Sequence, residues 1–448
     1  MVLLKNVLII TYHFPPMPEI GGIRLYGLAK YLPKYGWNPI ILTPTLPGEP
    51  DSQFQVIQSS YDDVVALWKR RMGLNTKKSL NEQFGVSKPK DQPSIIDHLT
   101  YLPWEVITYP DPMRGWYKHA VKAGGDLLQR EQINAILSSS SPVTCHLIAK
   151  TLAEKYQIPW IADLRDLWTQ NPYFNHCALR KFAEKRLELR ILGKASAWVT
   201  VSEPLADDLS HLHTHKPVYV ITNGFDPEDA SFAPPKLTDK FTITYTGVLY
   251  NGKRDPSLLF EALENLISDG VLAPDRVEVR FFGSQDSWLF DEIRDANLDG
   301  VVKVMGFVPR NQALQRQRES QLLLLLLWNN PQEKGVYTGK IFEYLAAGRP
   351  IIALSGPGES VVKDLLNETQ AGHYASSLED LEDILSKYYS EYIRTGAISP
   401  TKEDATSKYS HLEMAKKFAG VLDKVQTEAS QHPTSVSTCS DSTQKSIR

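Results

Sequence analysis

Along most of the chain, short apolar runs alternate with stretches whose apolar residues recur every three or four positions. The runs suit strands buried on both faces, and the spaced stretches suit helices with one face turned inward. Their alternation predicts parallel sheets covered by helices. In the first half, strands are expected near residues 5–12, 39–44, 133–139, 159–163, 197–201 and 218–222, with helices near 22–34, 115–130, 143–156, 177–193 and 203–210. The segment 46–112, rich in Pro, Asp and Lys, breaks this rhythm and reads as an excursion from the sheet. After a polar, Pro-containing stretch at 225–240, strands recur near 241–246, 277–282, 302–305, 321–327 and 350–354.

This pattern predicts an α/β protein of two Rossmann-like domains, 1–224 and 241–408, joined by a linker at 225–240. A terminal helix at 409–428 and a disordered, Ser/Thr-rich tail at 429–448 complete the expectation. Two such domains would face each other across a cleft at the carboxyl ends of their strands, where ligands of these folds bind.

Composition narrows the function classes. With 42% hydrophobic residues, 23% charged residues and a net charge of -3, the chain lacks the basic excess of a nucleic-acid binder. The N-terminal run around Lys5 reads as a first strand, not a targeting peptide, and Leu322–Trp328 is far shorter than the roughly 18 residues that span a bilayer. Cys145, Cys177 and Cys439 have no metal-ligand spacing; Cys145 and Cys177 are expected as small core residues in a reducing, cytoplasmic setting. No metal site is expected.

Candidate chemistry clusters where strands end. In GVYTGKIFEYLAAGRPIIAL (335–354) a Gly-containing loop opens into a helix. The free N–H groups and positive end of that helix would face an anion at Gly339, with Lys340 beside them. Glu343, one turn on, lies where a carboxylate accepts hydrogen bonds from a ribose diol. The first strand runs into YHFPP and then Gly21–Gly22, which would allow close backbone approach. It is not GxGxxG, and no acid ends the second strand, which argues against a dinucleotide oxidoreductase.

Asp163, Arg165 and Asp166 lie at a strand end in DLRDLW; there Arg165 would pair with either Asp, lower both pKa values and hold one ready as a base. In YTGVLYNGKRDP, Gly247 ends a strand, and Lys253 and Arg254 would neutralise a departing diphosphate. Each segment also has a plain structural reading, as a βα turn, an ion pair or a solvated charge. ITNGFD (221–226) reads as a domain-joining turn, and FFGSQ and GFVPRNQA as turns whose backbone borders a base. The helix near 178–194 carries Arg180, Lys181, Lys185, Arg186, Arg190 and Lys194 against only Glu184 and Glu188; it reads as a solvated face or as a peripheral membrane contact.

In this order, YHFPP…GGIRLYGLAKYL, ADLRDLW, VTVSEPLADDL, ITNGFD, YTGVLY…KRDP and GKIFEYLAAGRPIIA resemble glycosyltransferase family 4, the retaining, metal-independent nucleotide-sugar transferases of the GT-B fold. LSSSSP before ADLRDLW looks most like bacterial enzymes of surface-polysaccharide assembly. The resemblance implies an acceptor-side N-terminal domain and a nucleotide-sugar C-terminal domain. It implies no cofactor beyond the nucleotide-diphosphate donor, and a glycan or lipid-linked acceptor at the inner face of the membrane. Gly21–Gly22 would then face donor phosphates and acceptor, Lys253 and Arg254 the diphosphate, Glu343 the ribose, and Gly339 would supply backbone contacts. Three positions depart from the family. Gly335 stands where the first glutamate of Glu–x7–Glu belongs, with Glu333 nearby but out of register; Val248 replaces an arginine, leaving Lys340 to supply the charge; and DLRD replaces a histidine. A nucleotide-sugar epimerase on the same fold, or an inactive nucleotide-sugar-binding scaffold, stays open beside the transferase reading.

Overall fold

The computed structural model describes residues 4–17, 19, 21–73, 105–174, 176–214, 216–230, 236–283, 285–328, 330–356 and 358–431. Two parallel sheets organise the chain. The first has the order β3-β2-β1-β4-β5-β6-β7, formed by β1 (Lys5–Ile10), β2 (Trp37–Pro44), β3 (Gln55–Ser59), β4 (Ala135–Ser140), β5 (Trp160–Leu164), β6 (Ala197–Thr200) and β7 (Val218–Val220). The second has the order β10-β9-β8-β11-β12-β13, formed by β8 (Phe241–Gly247), β9 (Val277–Gly283), β10 (Val302–Gly306), β11 (Leu322–Leu326), β12 (Ile351–Leu354) and β13 (Gly372–Ala375). Helices pack on both faces of each, so the central strands are buried throughout; Leu322–Leu326 has five buried leucines in a row.

Three expectations need correction. The segment 46–112 is not wholly an excursion, because β3 pairs in parallel with β2 from Ile40↔Gln55 to Pro44↔Ser59; residues 74–104 lie outside the described residues. β13 had no counterpart in the pattern. Both are edge strands with one neighbour, partly exposed, and so need no apolar run. The last helix reaches Gln431 and takes in the start of the expected tail, while 432–448 lie outside the described residues.

That helix, His411–Gln431, packs Met414, Ala415, Phe418, Leu422 and Val425 into the core of the first sheet with Leu25, Leu28 and Trp37. Gly27 makes room for its first turn: a Cβ there would lie 2.2 Å from the His411 ring. The chain therefore passes between the sheets twice. The two passages touch, Phe225 N–H donating to the Tyr409 carbonyl at 3.0 Å and His411 N–H to the Phe225 carbonyl at 2.7 Å.

Candidate active site

The carboxyl ends of the two sheets border a shared cavity of about 620 Å³. Of the residues singled out in the sequence, Gly21, Arg165, Asp166, Gly247, Arg254, Gly339, Lys340 and Glu343 line it. Asp163, Gly22 and Lys253 do not.

On the N-terminal wall the charged residues are largely satisfied by the protein itself. Asp163 is fully buried and grips Arg24, with Arg24 Nη2 to Asp163 Oδ1 at 3.0 Å and Nε to Oδ2 at 3.2 Å. The Ser139 hydroxyl adds a third bond at 2.7 Å. Arg24 also donates to the carbonyls of Ile221 and Thr222 at 2.8 and 2.9 Å and to the Asn223 side chain at 3.0 Å, so this pair ties β5 to the ITNGFD turn. Arg165 pairs with neither aspartate. Its guanidinium donates to the carbonyls of Ser140 (2.8 Å), Gly21 (2.8 Å) and Ser141 (3.2 Å). The expectation that Arg165 lowers both carboxylates is thus corrected: burial pushes the Asp166 carboxyl up, against the opposing pull of Arg165. Burial and the Arg165 charge together hold His13, another cavity residue, below its ordinary value.

The two glycines at the start of the first helix have packing reasons. A Cβ on Gly21 would lie 2.8 Å from Arg165 Nη1, and one on Gly22 would lie 3.3 Å from the His13 carbonyl. Gly22 N–H donates to the Glu19 carbonyl at 3.0 Å, so it is not free for a ligand.

The C-terminal wall differs. Gly247 ends β8 at φ +149°, and a Cβ there would lie 2.2 Å from Lys340 Cε. This close approach needs glycine, and it lays the Lys340 side chain across the strand end. Lys340 opens the helix Gly339–Ala347, whose N-cap Thr338 gives the first turn no side-chain bond. Burial lowers the Lys340 pKa, and Arg254 lowers it further, partly offset by Glu343. Among the described residues neither Lys340 nor Arg254 has an ion-pair partner within 4.0 Å. Glu343 lies one turn beyond Lys340, half-buried, with Arg310 Nε at 3.5 Å. Two cations, a helix N-terminus and a carboxylate therefore converge on one strand end.

Lys253 is the misplaced member. Its ammonium lies 4.8 Å from the centroid of the Trp328 ring, outside the cavity lining. Its neighbour Arg254 lines the cavity and lies over Tyr250 at 4.9 Å. Sequence reasoning missed Arg24, Arg310 and Phe307. The last borders the cavity with 86% of its surface exposed, in the GFVPRNQA turn. Cys177, expected in the core, is exposed ahead of the helix Ala178–Leu192; Cys145 is buried.

Residues 21–229 match the family model described as Glycosyltransferase Family 4. Anabaena HepE in complex with UDP and glucose superposes with a TM-score of 0.58 at 13% identity, over 94% of this chain and 100% of that one. TarM gives 0.58 at 12% identity, over 94% and 99%. Sucrose-phosphate synthase from Thermosynechococcus elongatus gives 0.52 at 12%, over 95% and 98%. No curated protein sequence matches the chain. The chain has the GT-B fold and resembles glycosyltransferase family 4.

Against that family, Gly335 now has a physical reason. It is buried between the two walls: a Cβ would lie 3.1 Å from Pro204 Cβ and 3.2 Å from Leu205 Cδ2, while its carbonyl accepts from the Ser202 hydroxyl at 2.7 Å. A side chain there is crowded, and Pro204 and Leu205 would have to give by a few tenths of an ångström to admit one. Glu333 does not take its place in the large cavity. It borders a separate cavity of about 260 Å³ with Trp328, Lys334 and Ser360, and it accepts a hydrogen bond from the Tyr173 hydroxyl of the opposite wall. Burial pushes the Glu333 carboxyl up to about 7.

Proposed function

We propose that the protein is a glycosyltransferase that moves a sugar from a nucleotide-diphosphate donor to a hydroxyl of a glycan or lipid-linked glycan, with retention of configuration and without a metal. The observation that carries this reading is the pair Arg254 and Lys340, two cations without ion-pair partners among the described residues, beside the helix N-terminus at Gly339 and the strand end at Gly247. Such a pair is costly to hold together alone and is relieved by a dianionic ligand.

In this reading Lys340 and Arg254 hold the diphosphate and stabilise the charge that develops as the bond from the sugar's anomeric carbon to phosphate breaks. Glu343 holds the ribose, and Phe307 borders the base. The acceptor oxygen bonds to the anomeric carbon from the face the diphosphate leaves, and the hydroxyl proton passes to the departing phosphate oxygen. Asp166, Arg165 and His13 line the opposite wall, where the acceptor would lie. Arg165 fixes the Asp166 loop through three carbonyls, and Asp166 then orients the acceptor hydroxyl. UDP, present in the HepE structure, is the first nucleotide to try.

The test is release of nucleoside diphosphate from a panel of UDP-, GDP- and dTDP-sugars. Release from one donor, lost in Arg254→Ala and Lys340→Ala, supports the reading. No binding of any nucleoside diphosphate overturns it.

A further inference from the structure

The helix Ala178–Leu192 carries five of the six basic residues between 178 and 194 together with just two acids, and the fold removes both acids from the surface. Glu184 is fully buried, accepting from Arg180 Nε at 2.8 Å and Trp168 Nε1 at 2.6 Å. Glu188 is fully buried as well, accepting from the backbone N–H of Thr169 at 3.2 Å and from its hydroxyl. Arg180 is also turned inward.

What remains outside is Lys181, Lys185, Arg186 and Arg190, with Lys194 just beyond, all exposed and none in an ion pair among the described residues. Between them, at spacings of three and seven, stand Leu179 (74% exposed), Phe182 (56%) and Leu189 (40%). The Arg186 guanidinium lies 4.4 Å from the centroid of the Phe182 ring. One face of this helix is thus apolar along its middle, cationic on its flanks and free of the helix's own acids.

We infer that this face docks the protein on an anionic lipid surface. Cations matched to headgroup phosphates and apolar side chains that enter the headgroup boundary are the two components of interfacial helix binding. Exposed apolar side chains scattered singly are ordinary, but here three large ones share one line between cations. The docking stands on this helix alone. Its consequence rests on the proposed function: Glu184 and Glu188 hold Trp168 and Thr169, so the docked helix is fastened to the loop that carries Asp166 on the acceptor side of the cavity. A lipid-linked acceptor would then be met where it resides.

The test is co-sedimentation of the full chain with vesicles of phosphatidylcholine alone and with a quarter of phosphatidylglycerol. Binding is expected to the anionic vesicles only and to weaken with salt. Lys181→Gln/Lys185→Gln/Arg186→Gln should lower partitioning on the order of a hundredfold, and Leu179→Ser/Phe182→Ser by about tenfold. These side chains are exposed, and an unchanged melting temperature will show that the fold is kept. Absence of binding, equal binding to neutral vesicles, or loss in the charge variant with none in the apolar one overturns the inference. The last result would describe an acidic partner that does not admit apolar side chains. Nucleoside diphosphate binding, measured on the same variants, should not change, so this test and that of the donor site fail independently.

Discussion

The two walls of the cavity follow the same local design, a strand that ends in glycine or charge and turns into a helix, and use it differently. At the end of β5, Asp163 is matched with Arg24 at 3.0 Å inside the protein, and Arg165 spends its donors on backbone carbonyls. At the end of β8, Arg254 and Lys340 face the cavity with no matching carboxylate in ion-pair range among the described residues. Charge matched by opposite charge builds a wall; positive charge with no carboxylate in range is what the proposed function assigns to the donor diphosphate. The difference teaches that charges at a strand end point to a binding site only when the protein brings no opposite charge into their range.

The largest effect that could break this comparison is on stability. Arg24→Ala leaves Asp163 buried and unpaired and should cost the first domain about 3–5 kcal/mol. Urea unfolding followed by tryptophan fluorescence reports it well, since seven of the nine tryptophans lie before residue 200. An unchanged midpoint would mean that the N-terminal pair is not structural. Next, Arg254→Ala or Lys340→Ala should each weaken nucleoside diphosphate binding by about 10–100-fold, the equivalent of one charge-assisted hydrogen bond of roughly 1.5–3 kcal/mol. Neither should lower the melting temperature, because each removes one of two like charges; a marked loss of stability would place them in the scaffold instead.

Gly335→Glu should cost about 1–3 kcal/mol by overpacking against Pro204 and Leu205. Small-angle scattering should show the cleft opened. An unchanged profile with unchanged stability would mean that the loop has slack to spare.

The smallest effect is set by pH. Glu333 has its folded pKa raised from 4.5 to about 7, so the native state keeps this proton to higher pH than the unfolded chain does. Its contribution to stability is therefore full below the unfolded value and falls as pH rises through about 7. Between pH 5 and pH 8 the wild type should lose melting temperature relative to Glu333→Gln; parallel curves would contradict the shift.

Much of the fold was legible because central parallel strands are apolar on both faces, as in Leu322–Leu326. β3 and β13 were not, since an edge strand with one neighbour carries polar residues such as Gln55 and His373. Nor does periodicity say which surface a helix covers, so the return of His411–Gln431 to the first sheet was hidden. At the site, Gly339, Lys340 and Glu343 lie on one helical turn, and sequence spacing alone brought them together. Asp163 failed the same reasoning because its partner, Arg24, is 139 residues away. Lys253 and Arg254 are adjacent, and which of them enters the cavity is set by the backbone before them. Tyr250, Asn251 and Gly252 take φ of 52, 54 and 82° in succession, a turn that sequence does not announce for Tyr250.

The central claim, that the protein holds a diphosphate between Arg254 and Lys340, is tested most directly by calorimetric titration of UDP, GDP and dTDP into three proteins: the wild type, Lys253→Ala and the double variant Arg254→Ala/Lys340→Ala. The account predicts that one nucleotide binds the wild type, that Lys253→Ala stays within about a factor of two because its screened charge lies outside the cavity, and that the double variant binds at least about a hundredfold more weakly. Equal binding by the double variant and the wild type, or a greater loss in Lys253→Ala than in the pair, would contradict it.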